Sequence, residues 1–218
     1  MLPAPKTPEI DHRTLKLVVG VIAISLAGLT SFFAKYRITS ISGSYYEGGW
    51  SQIILIGFLF AIAAFLLAYN GLSTREMVLS KVASVAALGV AIVPCDCPGH
   101  PELPSFAPEV PYVHGASAAT MFLILAFFCY EFYRRAQTKG YVQAKRRARI
   151  YAVCGILIVV SILVMAIDRL TNDALSARFD KLTFVGEGVA LVSFGVSWLT
   201  ASRILPGLTR KEERLSLF

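Results

Sequence analysis

Charge is what this chain has least of. Lys, Arg, Asp and Glu fill 16% of its 218 positions, against about 25% in soluble domains, and the shortage leaves whole stretches bare. A soluble core of this size cannot absorb several such runs, which excludes a purely water-soluble globule. Segments of about ten residues with alternating polarity are missing too, so a transmembrane barrel is excluded. No G-x-S-x-G, no H-E-x-x-H and no glycine-rich phosphate loop occurs, and motif-based hydrolase or nucleotide readings have no foothold. With three His and four Cys in the whole chain, any metal centre has few ligands to draw on.

Present instead are six apolar runs of 17 to 21 residues, at 17–33, 51–69, 77–93, 112–132, 150–167 and 182–200. Each is about long enough to cross roughly 30 Å of hydrocarbon, and in lipid only a helix satisfies its own amides. The expectation is all-α: a six-helix transmembrane bundle forming a single integral membrane domain over 1–218. The third run is the least apolar, because Lys81 enters it early and must snorkel to an interface. The N-terminal segment lacks the apolar core and cleavage site of a signal peptide, so the first helix is expected to be retained. Ala83, Ala87 and Ala91, and likewise Ala64 and Ala68, form small-residue stripes that suit close helix packing.

Basic residues set the expected orientation. The N-terminal tail, the second and fourth connections and the C-terminal tail hold 16 of the 21 Lys and Arg, the other connections 5. Both termini are therefore expected in the cytoplasm, in a bacterial inner membrane or a plasma membrane. The fourth connection, Arg134–Arg149, carries seven basic residues and no acid, a composition suited to anionic lipid headgroups. Nucleic acid is not expected as a partner, since stacking aromatics and a nucleic-acid-binding fold are missing.

The chemistry-bearing residues then gather on the outer side. His114 opens the fourth run with Ser117 at i+3 on the same face, and Glu187 is the only acid well inside a span, where an ionisable group is a functional candidate by default. Between the third and fourth runs, "VPCDCPGHPELPSFAPEVPYVHG" contains no Lys or Arg. Cys95, Cys97, His100 and His114 are the candidate metal ligands, of types that zinc or copper accepts. An ordinary structural disulfide between Cys95 and Cys97 is not expected from residues so close in sequence. Cys129 and Cys154 read as small buried hydrophobes. No cofactor is implied.

The motifs "GSYYEG", "GFLFAIAAFLLAYNG", "ALGVAIVPCD", "VHGASAATMFLILAFF", "CGILI" and "GEGVALVSFGVSWL" resemble a family of bacterial six-span membrane proteins of unknown function. They are also distantly similar to DRAM and Sfk-type membrane proteins. The resemblance points to Tyr45, Tyr46, Pro94, Asp96, His114 and Glu187. A ceramidase-type zinc hydrolase is disfavoured, because the late-helix His pair of that pattern is absent. The expected role is binding of a lipid headgroup or small molecule by Tyr45, Tyr46, Asp96, His114, Ser117 and Glu187 under a lid formed by the third loop, as a sensor or accessory protein. An intramembrane enzyme using His114 and Glu187, or a structural subunit of a larger membrane complex, are the alternatives.

Overall fold

The computed structural model describes residues 11–95, 97, 110 and 112–214. Six long helices dominate: α1 (His12–Phe33), α3 (Gly49–Ala68), α4 (Thr74–Ile92), α5 (Val113–Gln137), α6 (Val142–Leu170) and α7 (Leu182–Ala201). A short helix, α2 (Ser44–Glu47), sits between α1 and α3, and a turn of 3-10 helix closes the described chain at Lys211–Glu213. Five of the long helices are long and apolar enough to cross a membrane. The exception, α4, carries Arg75, Glu76 and Lys81 in its first turns.

The helices outrun the apolar runs that announce them. Hydropathy stops at a charge, but the backbone ladder does not, and Arg, Lys, Gln and Ala are good helix formers. The fourth run was expected to end at 132 and the fifth to begin at 150, whereas α5 reaches Gln137 and α6 starts at Val142. Most of Arg134–Arg149 is therefore helical, a correction to its reading as a loop.

Each long helix packs on the next, and α7 packs back on α1, so the six close into a ring. The closure depends on glycine: a Cβ at Gly20 would lie 2.9 Å from the Gly195 carbonyl, and one at Gly195 2.7 Å from the Gly20 carbonyl. Elsewhere serines knit neighbouring helices. On α4, Ser80 and Ser84 donate to the α3 carbonyls of Leu66 and Ala63, the latter at 2.7 Å. Lys81 reaches the C-terminal carbonyls of α3 at Leu67 and Tyr69 and the side chain of Asn70. Its charge thus serves orphan carbonyls at a helix end. Ala83, Ala87 and Ala91 are buried as the small-residue stripe suggested, but Ala64 and Ala68 are exposed among the described residues.

Toward the end of the ring where α3 and α7 finish lies an aromatic plug. The Trp198 ring meets Tyr69 and Phe194 at 5.2 Å and Phe128 at 6.1 Å, centroid to centroid. All four residues are buried.

Candidate functional site

On one side of the plug the ring encloses a cavity of about 1260 Å³, larger than the roughly 300–1,000 Å³ of ordinary ligand pockets. Every long helix contributes apolar lining: Leu26, Leu59, Val90, Phe122, Ile162 and Leu191, in chain order. Its mouth is polar, formed by Ser40, Ser42, Tyr46, Cys97, His114, Asp168 and Glu187 among others.

Glu187 stands on α7 facing the α1–α2 connection, and that connection folds around its carboxylate. Oε2 accepts from Ser40 Oγ at 2.9 Å and from the backbone N–H of Ile41 at 2.5 Å and Ser42 at 3.3 Å; Oε1 accepts from Ser42 Oγ at 2.7 Å. A further bond, Phe184 N–H to the Thr39 carbonyl at 2.9 Å, fixes the same segment to the start of α7. The cost of a carboxylate at this depth is met by neutral donors.

His114, in the first turn of α5, bonds the Val93 carbonyl through Nδ1 at 2.7 Å. A carbonyl only accepts, so Nδ1 carries the proton and, in the neutral ring, Nε2 holds the free lone pair. Nε2 is buried without a partner among the described residues. Tyr46 donates its hydroxyl to the Cys95 carbonyl. The chain leaving α4 is thus tied at Val93 by one expected site residue and at Cys95 by another.

Cys95 and Cys97 are joined in a disulfide with Cα atoms 5.3 Å apart; the spacing argues only against an ordinary structural bridge. As a disulfide the pair offers no thiolate to a metal. Among the described residues no group of three or more His, Cys, Asp and Glu could hold a metal ion; His100 lies outside them, as does Asp96. Most of the expected lid, 98–109 and 111, is likewise outside.

Two other expected residues sit apart from the cavity lining. Ser117 packs against α4, where a Cβ on Gly89 would come within 2.4 Å of its Oγ, so sharing a helix face with His114 did not bring both to the cavity. Tyr45 is buried, its ring edge-on to Tyr46 at 5.8 Å. Cys129 and Cys154 are free and buried; the Cys129 thiol meets Ser197 Oγ at 3.2 Å.

Sequence reasoning missed Asp168. Its Oδ1 accepts from the backbone N–H of Leu175 at 2.8 Å and of Ser176 at 3.1 Å, shaping the α6–α7 connection at the cavity mouth. It stood at the very edge of an apolar run, where an acid is unremarkable. Among the described residues the cavity lining carries four acids, Asp168, Asp173, Asp180 and Glu187, of which Asp173 faces Arg169 and Asp180 faces Arg37, each at 3.5 Å.

Comparison with protein-family models, with curated proteins and with solved structures returns no match. The geometry of the ring and its cavity is what functional argument has to work from.

Proposed function

We propose that this is a six-span protein of a bacterial inner membrane or plasma membrane, with both termini cytoplasmic, that binds a lipid-like amphiphile in its ring cavity as a sensor or accessory protein. The observation that carries the reading is the division of one cavity into an apolar interior, lined by all six long helices, and a mouth rich in carboxylates and hydroxyls. An acyl or similar chain lies among the apolar residues and the headgroup stays at the mouth. Asp168 and Glu187, held by neutral donors, favour a headgroup bearing an ammonium over a purely anionic one.

Other readings have less support. Passage through the ring is opposed by the buried plug of Tyr69, Phe128, Phe194 and Trp198. An enzyme in which Glu187 acts as a base is opposed by its four donors, which already occupy the carboxylate. A structural subunit is favoured by one feature, the exposed Ala64 and Ala68 on α3; co-purification of a stoichiometric membrane partner, lost on Ala64→Leu, would support it.

The ligand test uses mass spectrometry of lipids retained by the full chain after detergent purification. Enrichment of an amine-bearing lipid over its share of the host membrane is expected. Leu59→Trp, which fills the cavity, should abolish that enrichment, and Val85→Trp, on a face 67% exposed, should not. No enrichment, or equal retention by both variants, overturns the reading. Orientation is tested separately in intact cells with an impermeant thiol reagent: in a background without native cysteines, Ala174→Cys should label from outside and Thr138→Cys should not.

A further inference from the structure

We propose that Cys95 and Cys97 form a thiol–disulfide exchange centre at the cavity mouth, in which a small thiol entering the cavity attacks the Cys97 sulfur and Cys95 leaves. Three features of the segment carry this. First, the bond has little to do as a staple. It closes a loop with a single intervening residue, which removes little entropy from the unfolded chain, and the segment is already tied down by His114 at Val93 and by Tyr46 at Cys95. Second, the two sulfurs differ in access. Both residues line the cavity, but Cys95 is only 7% exposed whereas Cys97 is half-buried, so an incoming thiolate reaches Cys97.

Third, a hydroxyl tied to the mouth carboxylate stands beside the accessible sulfur. Cys97 Sγ lies 4.0 Å from Ser40 Oγ, a hydroxyl that donates to Glu187 and accepts from the Gly43 N–H. In the disulfide Cys97 has no S–H, and the approach is packing only. As a thiol it has a proton to offer to an oxygen already tied to the carboxylate at the mouth.

The exchange balances without any further reagent. A thiolate RS⁻ forms a bond to Cys97 Sγ, the Cys95–Cys97 bond breaks, and Cys95 departs as a thiolate that takes a proton from cavity water. A second thiolate then attacks the R sulfur of the mixed disulfide and forms RSSR. It releases Cys97, so that two electrons pass from the thiols to the protein. The reverse course oxidises the dithiol at the expense of RSSR. Throughout, Cys95 stays tethered one residue from Cys97, and its high effective concentration lets it expel R again.

The proposal is independent of what the cavity holds, and its test does not read lipid. Full-length protein in detergent is equilibrated with mixtures of reduced and oxidised glutathione, quenched with acid, alkylated and mapped by peptide mass spectrometry. Expected are a reversible conversion between disulfide and dithiol with the helical circular dichroism unchanged, and a glutathione adduct found on Cys97. Cys95→Ser should trap that adduct, and Cys97→Ser should react roughly tenfold more slowly, because thiol chemistry follows access and thiolate character. A disulfide that resists glutathione in the folded wild-type protein, or adducts distributed equally over both cysteines, overturns the proposal even if either variant fails to fold.

Discussion

Acids at the two ends of this molecule are satisfied by different partners. At the end that holds the tails and the α3–α4 and α5–α6 connections, they meet cations. Glu213 accepts from Lys139 at 3.1 Å, from Tyr141 at 2.7 and 2.6 Å and from Arg203 at 2.8 Å, with Arg147 at 3.5 Å; Glu76 pairs with Arg135. At the cavity end three of them meet neutral donors, while Asp173 and Asp180 face Arg169 and Arg37 at 3.5 Å. Glu47 accepts the backbone N–H groups of Lys35 and Tyr36 at 3.0 Å, and Asp168 and Glu187 likewise hold connections by their amides and serines. A carboxylate capped by neutral donors keeps its charge available, whereas one among guanidinium groups is neutralised. The basic end is therefore closed by ion pairs, whereas at the cavity end Asp168 and Glu187 stand at the mouth without a cation among the described residues.

The largest effect is expected where the closed end is opened. Arg147 is fully buried, bonds the Leu208 carbonyl and Tyr141, and faces Glu213. Arg147→Ala should cost roughly 3 kcal/mol in a denaturation assay, at the low end for a broken buried pair because Glu213 keeps its other cations. The same cluster makes a pH prediction. Burial pushes the Glu213 carboxyl up, but bonds from Tyr141 and Lys139 and the charge of Arg203 outweigh it and bring the group from 4.5 down to about 2. A depressed folded value means that the stabilisation is present above about pH 4.5 and fades as pH falls toward 2. Hydrogen exchange of residues 203–214 should rise over that window, and Glu213→Gln should remove the dependence.

At the open end the charge is separable from the fold. Glu187→Gln still offers an oxygen to the Ile41 and Ser42 amides and an NH₂ that can donate to Ser42 Oγ, so a stability loss of about 1 kcal/mol is expected from weaker, uncharged bonds. Retention of the amine-bearing lipid should fall more steeply than that. An unchanged lipid profile with this variant would mean that the charge at Glu187 serves only the α1–α2 connection.

How legible this was in the sequence differs by residue. Five apolar helices were plain from the long uncharged runs, and so was the gathering of His114, Glu187 and Tyr46 near one end. The ring could not be read, because Gly20 and Gly195 are far apart in sequence and only their mutual approach gives either a meaning. The i+3 spacing of Ser117 from His114 fixes a shared helix face but not the neighbour that face meets, here Gly89. Glu187 was singled out as an acid inside an apolar run, but its donors come from residues 40–42, whose approach to α7 no local pattern announces. The Cys95–Cys97 bond falls outside a spacing argument drawn from ordinary bridges.

The smallest effect belongs to the basic surface. Seven basic residues between Arg134 and Arg149 suggested strong attraction to anionic headgroups, but four of them face acids of the protein itself: Arg134 and Arg135 meet Glu131 and Glu76, and Lys139 and Arg147 meet Glu213. Lys145, Arg146 and Arg149 are exposed on α6. If anionic lipid meets this surface, these three are the cations left to attract it, at about 1 kcal/mol each, and a peptide of the same sequence would overstate the effect because its other charges are unpaired. Neutralising all three to Gln in the full-length protein should weaken association of anionic over neutral lipid in nanodiscs, by an amount that shrinks as salt rises. Arg135→Gln should leave that preference unchanged while lowering stability through Glu76. Equal losses from both changes would show that the paired cations also reach the lipid, and would erase the distinction between a closed end and an open one.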